Sequence, residues 1–87
     1  MTVFAVISTM PDSELGNRVK TVYGTDTFTL SPDTWFVADT EVTTAQVCEK
    51  LGIGPQGLSG VVVKFDGYFG YGSNAIWEWL RLKGANP

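Results

Sequence analysis

The chain has 87 residues, of which 44% are hydrophobic and 17% charged, and its formal net charge is −3. A chain of this length forms one domain, residues 1–87, with a modest core, and the composition is that of a folded globule. Only six basic residues are spread along it, which argues against duplex nucleic acid as a partner because phosphate binding needs clustered Lys and Arg.

Reactive residue types are scarce. Cys48 is the single cysteine and histidine is absent, which argues against a disulfide, the usual zinc sites and His-activated nucleophiles. We interpret Cys48 as a small core hydrophobe. The apolar run from Val3 to Ile7 is too short for a signal peptide, and no stretch approaches the roughly 20 residues of a membrane span. We therefore expect a cytoplasmic protein with no cofactor and no membrane partner.

The first half of the chain predicts a strand, a helix and a hairpin. Val3 to Ile7 is continuously apolar, which is typical of a central strand buried on both faces. A helix follows, capped by Asp12 or Ser13, ended by Gly24, and carrying Gly16 where helix and sheet approach closely. Its apolar stripe consists of Leu15, Val19, Val22 and Tyr23. Strands 27–30 and 35–38 then flank a turn at residues 31–34.

The second half predicts a helix, a strand and a final helix. Thr43 and Gln46 form a capping box, Val47 and Leu51 share the buried face of that helix, and Gly52 ends it. Residues 61–65 form an apolar strand, and a helix capped by Ser73 or Asn74 completes the chain. In that helix Ile76, Trp77 and Leu80 share one face, Trp79 lies off it, and the residues predicted to point away are Glu78, Arg81 and Lys83.

This order, β-α-β-β-α-β with an added C-terminal helix, is that of a ferredoxin-like α+β domain built on an antiparallel four-stranded sheet. That plan places the first and third strands in the middle and the second and fourth at the edges. A strand as apolar as residues 61–65 is a liability at an edge, because its unpaired backbone groups invite another strand. We expect that either the final helix covers it or a second copy of the chain pairs with it.

The leading functional hypothesis is therefore a non-catalytic interaction module, either a homodimer or one bound to another protein. The surface would be strand 61–65 with helix 73–83, and its expected interface residues are Val61, Val63, Phe65, Trp77 and Trp79.

The loop from residue 67 to 74 supports a second hypothesis, a small-ligand or nucleotide-binding regulatory domain. It leads into a helix N-terminus, where free amides attract anions, and its aromatic side chains can stack on a ring. Its glycine spacing does not match dinucleotide-binding loops, so packing of the aromatics on the sheet is the alternative. The residues concerned are Gly67, Tyr68, Gly70, Tyr71, Gly72, Ser73 and Asn74.

A third hypothesis is a Cas2-like metal-dependent nuclease. Carboxylates at one end of the sheet, Asp39, Glu41 and Asp66, have the oxygen ligands that Mg²⁺ prefers. In the Cas2-type nucleases an acidic residue follows the first strand, and Asp12 lies several residues later than that pattern requires. We nevertheless expect no metal site here, because carboxylates in loops are usually solvated and need no metal ion to account for them.

Overall fold

The computed structural model describes residues 1–10, 14–40, 43–85 and 87. They form an α+β structure with a four-stranded antiparallel sheet and three α-helices, as the sequence predicts. A short 3₁₀ turn at Gly24–Asp26 precedes the second strand. In chain order the elements are β1 (Thr2–Ser8), α1 (Leu15–Tyr23), β2 (Thr27–Ser31), β3 (Thr34–Asp39), α2 (Thr44–Leu51), β4 (Gly60–Lys64) and α3 (Asn74–Leu82).

The sheet has the strand order β2-β3-β1-β4, and every neighbouring pair is antiparallel. β1 pairs with β3 from Thr2 to Ile7 and with β4 from Phe4 to Ser8, so it lies inside the sheet. The predicted central place of the first and third strands and the edge place of the second and fourth are confirmed.

Helices α1 and α2 cover one face of the sheet. The residues buried between them and the strands are Phe4, Val6, Leu15, Val19, Trp35, Val37, Val47 and Leu51. The predicted close approach at Gly16 is confirmed, since a Cβ there would lie 2.8 Å from Cζ2 of Trp35. The predicted stripe is wrong at Val22, which is exposed. The Tyr23 hydroxyl donates to Asp39 Oδ2 at 2.9 Å, and this bond turns Tyr23 rather than Val22 toward the sheet.

Helix α3 covers part of the opposite face. The fully packed residues there are Val3, Phe36, Ala38 and Leu80. The prediction that Trp79 lies off the packed face is wrong, because its ring lies 5.9 Å from that of Phe28 and 6.4 Å from that of Phe36. At about 100° per residue, Trp77 and Trp79 flank Leu80 on either side, and a helix lying on a broad sheet buries both flanks.

Lys83 also departs from the prediction that it points away. Its Nζ lies 2.7 Å from Asp26 Oδ1 and 5.9 Å from the centre of the Trp79 ring. The helix ends at Leu82, so the helical periodicity used in the prediction does not fix the direction of the Lys83 side chain.

The ends of α2 and α3 confirm the local predictions. Gln46 N–H donates to Thr43 Oγ1 at 3.2 Å, and Thr43 N–H donates to Gln46 Oε1 at 2.7 Å. Gly52 has φ of 73°, the left-handed conformation that closes the helix. Ser73 Oγ accepts from the Ala75 amide at 3.2 Å and is the cap of α3. The caps predicted for α1, Asp12 or Ser13, lie outside the described residues.

Candidate functional site

The outer side of β4 is an open sheet edge. Phe65 N–H donates to the Val3 carbonyl at 3.0 Å, so the backbone groups of Phe65 point toward β1. Antiparallel pairing alternates along the strand, which directs the backbone groups of Gly60, Val62 and Lys64 outward. Within the ranges that the structure describes, no other element forms backbone hydrogen bonds with this outer side.

An apolar strip lies beside this edge, on the face that carries α3. Val61 pairs with Ile7, and Val63 pairs with Ala5. Helix α3 does not extend over these positions, so Val61 is 47% exposed, Val63 48% and Ile7 36%. We call Ile7, Val61 and Val63 the valine strip. Covering by the terminal helix, one of the two expected outcomes for this strand, is therefore incomplete.

The opposite edge of the sheet has a different character. The register of β2 against β3 shifts between Thr29 and Ser31, and only four of its positions pair with β3. An irregular edge strand is a poor template for another strand, whereas a regular apolar strand is a good one. Of the two edges, β4 is the one suited to accept a partner.

The remaining expected interface residues are largely committed to contacts within the chain. The ring of Phe65 meets that of Phe36 edge-on, with centroids 5.0 Å apart. Trp77 is half-buried and stacks on Tyr68 at 6.0 Å with an interplanar angle of 5°. Trp79 is also half-buried, and its Nε1 has no acceptor among the residues with described positions.

The residues of the 67–74 loop form two sets, one facing the protein and one facing solvent. A Cβ at Gly72 would lie 3.0 Å from Cδ1 of Ile76, and one at Gly70 would lie 3.5 Å from the Trp77 ring, so both glycines face α3. Phe69 and Tyr71, which alternate with them, are fully exposed. Tyr68 packs on the sheet side, and Gly67 lines a surface cavity of about 280 Å³ with the ends of β1 and β4. The expected ligand residues therefore do not converge on one enclosure.

Asp39, one of the candidate metal ligands, is held by other groups of the chain. Its Oδ2 accepts from Lys50 Nζ at 2.7 Å and from the Tyr23 hydroxyl, and its Oδ1 accepts from the Thr40 amide at 2.7 Å. Burial acts to raise the pKa of Asp39, but the bonds from Lys50, Tyr23 and Thr40 outweigh it and hold that pKa below its usual value. Burial, followed by the bond to Asp39, raises the pKa of Tyr23 well above its usual value.

The other candidate carboxylates do not join Asp39. Asp66 is exposed after β4, whereas Glu41 and Asp12 lie outside the described residues. In the described part of the chain no three His, Cys, Asp or Glu residues come together in an arrangement that could hold a metal ion. The thiol of Cys48 is free and half-buried in α2.

Comparison with known protein families, curated proteins and solved structures finds no match for this chain. None of the helices among the described residues is long and apolar enough to cross a membrane.

One feature of this surface, the exposure of Ile7, was not predicted from the sequence. Ile7 belongs to a run predicted to be buried on both faces, yet it contributes to the valine strip because α3 does not cover it. Its pairing opposite Val61 is a long-range fact that no local signal reveals. Phe69 is one of the loop aromatics that the sequence suggests could stack on a ring, and it is as exposed as Tyr71.

Proposed function

We propose that this chain is a non-catalytic association module that binds another polypeptide by strand addition at the open edge of β4. The observation that carries the proposal is the combination of outward backbone groups at Val62 and Lys64 with the exposed valine strip beside them. In strand addition the main-chain hydrogen bonds supply affinity, and alternate side chains supply specificity.

The charge and shape of the edge support this function. Lys64 is the single charged residue of β4, so a wide range of apolar strands can approach without like-charge repulsion. Helix α3 and its aromatic contacts already occupy much of the adjoining face. This leaves the edge and the valine strip as the apolar surface next to β4.

We also propose that the domain, with its added helix α3, is of the ferredoxin-like type. What supports this is the element order up to β4 together with the strand order, which places β1 and β3 between β2 and β4. In such a sheet one edge is formed by the last strand, so an association site there leaves both core helices undisturbed.

Site-specific photo-cross-linking in the producing cell tests strand addition. A benzophenone amino acid in place of Lys64 is expected to give a covalent product with a second polypeptide after irradiation. The same amino acid in place of Glu78, exposed on α3, is the matched control and should give no such product. Val62→Pro, which removes an outward amide, should abolish the product. Equal cross-linking from both positions, or none from position 64, would overturn the proposal.

The exposed pair Phe69 and Tyr71 favours one other candidate function, a ring-binding surface on the 67–74 loop. Aromatic side chains of this kind stack on nucleobases with free energies of about 1–3 kcal/mol per base. A thermal-shift series with nucleotides and phosphorylated metabolites tests it. A shift that disappears in Tyr71→Ala supports the candidate, and the absence of any shift ends it.

A further inference from the structure

We infer that the strand bound at β4 is the β4 strand of a second copy, paired across a two-fold axis at Val62. This inference rests on the proposed strand addition and names its partner. Two identical strands related by a two-fold axis perpendicular to the sheet are necessarily antiparallel, which is the pairing that the rest of this sheet uses.

The direction of the backbone groups selects the register. Because Val62 points its N–H and C=O outward, two copies of Val62 can exchange both bonds as a hydrogen-bonded pair. Lys64 of each copy then lies opposite Gly60 of the other. The lysine thus meets a residue without a side chain, and like charges are not placed across from each other.

The same register completes the valine strip. Val61 of one copy lies opposite Val63 of the other, on the face that carries α3, so four valines come together with the two Ile7 side chains at the ends of the group. Non-hydrogen-bonded antiparallel pairs bring side chains closest, and β-branched side chains pack well there. The strip that α3 leaves exposed becomes the centre of a continuous apolar surface.

Charge complementarity supports a second copy rather than an unrelated strand. Lys64 shares the face of Val62 and Phe4, on which α1 lies. A Cβ at Gly60 would lie 2.9 Å from Leu15 Cδ2, so the side chain of the first residue of α1 reaches the Gly60 end of β4. Glu14 immediately precedes Leu15 and is exposed. In the Val62 register Lys64 of one copy therefore approaches Glu14 of the other, and symmetry makes two such pairs.

Glu14 and Lys64 form no ion pair with any other residue that the structure describes. Among the described residues the ion pairs are Lys50 with Asp39 and Lys83 with Asp26, and neither Glu14 nor Lys64 belongs to them. Glu14, beside one end of β4, and Lys64, at the other end, are thus brought together by the two-fold pairing.

A charge-swap experiment tests the register by sedimentation equilibrium. The wild type is expected to dimerise reversibly below about 1 mM, because a five-residue edge buries less area than a standard interface. Glu14→Lys and Lys64→Glu should each weaken the homodimer, since each places two like-charged pairs at the junction. Mixed together, the two variants have both pairs matched, and the heterodimer should be roughly tenfold tighter than either homodimer.

Glu78→Lys mixed with Lys64→Glu makes the same charge change on the outer side of α3, and it should give no such gain. A mixture of the two edge variants no tighter than either alone overturns the Val62 register. A wild type that stays monomeric at 1 mM overturns the second copy as partner. Strand addition itself survives that result if position 64 cross-links to a different polypeptide, so the two proposals fail separately.

Discussion

The contact between Gly16 and Trp35 sets how closely α1 approaches the sheet. A Cβ at position 16 would lie 2.8 Å from Cζ2 of Trp35, well inside the roughly 3.5–4.0 Å at which two carbons attract each other. Trp35 is only 5% exposed and is packed between the sheet and helices α1 and α2, so its ring has little room to move away. Gly16→Ala should therefore destabilise the protein, although alanine is the better helix former.

Two opposing effects set the size of the change. Replacing glycine by alanine inside a helix stabilises it by about 1 kcal/mol. Overpacking a tight core by one methyl group costs roughly 1–3 kcal/mol, and the short distance here favours the upper part of that range. The net loss should be about 1–2 kcal/mol, which corresponds to a lowering of Tm by roughly 4–15 °C in a domain of this size.

Urea denaturation followed by circular dichroism measures this loss directly. Asn17→Ala is the matched control, because it changes the next residue of the same helix at an exposed position and should alter stability by less than about 0.5 kcal/mol. In a Trp35→Phe background the atom that clashes is gone, and Gly16→Ala should become neutral or stabilising. A stabilising Gly16→Ala in the wild-type background would refute the reasoning.

Four further predictions concern the caps of α2 and the hydrogen-bonded pair Asp39 and Tyr23. Thr43→Ala removes the acceptor of the Gln46 amide, so it should lower the free energy of unfolding by about 1 kcal/mol. Gln56→Ala, at an exposed loop position, is the control. Gly52→Ala should lower the free energy of unfolding by about 1 kcal/mol or more, because φ at this position is 73° and a side chain there is strained. An unchanged free energy of unfolding would contradict this reasoning. Since the folded pKa of Asp39 is lowered, its contribution to stability is present above about pH 4 and is lost as pH falls through the folded value, so denaturation curves of Asp39→Asn should show a shallower acid loss than wild type. The raised pKa of Tyr23 acts in the opposite sense, with stability lost above about pH 10, and Tyr23→Phe should remove that alkaline loss.

The elements of the fold that carry local signals were predictable. The capping box of Thr43 and Gln46, the left-handed Gly52 and the turn between β2 and β3 each depend on residues within a few positions of one another. Their chemistry is complete in the sequence, because caps and turns satisfy backbone groups of the same segment.

The arrangement of α3 was not predictable in the same way. Trp79 packs on Phe28 and Lys83 binds Asp26, and the residues of each pair are far apart in the sequence, by 57 positions for Lys83 and Asp26. A helical pattern gives the spacing of apolar positions but not the face of the sheet on which the helix will lie. The exposure of Ile7 depends on which part of the sheet α3 covers, and it was missed for that reason.

The candidate surface stands between these cases. A run of three valines before Lys64 predicts an apolar strand, and the order of elements places it at an edge, as the structure has it. Whether the final helix covers that strand depends on how far a chain segment reaches in space. No local pattern contains this information.

The unequal edges of the sheet have a consequence for the size of any assembly. Two copies joined through β4 would present only their β2 strands at the ends of the enlarged sheet, and β2 pairs irregularly because its register shifts between Thr29 and Ser31. A third copy would find no regular template, so the assembly of such a protein would stop at two copies and would not extend into a fibre. A sheet with one regular and one irregular edge can therefore bind a second copy without forming larger assemblies.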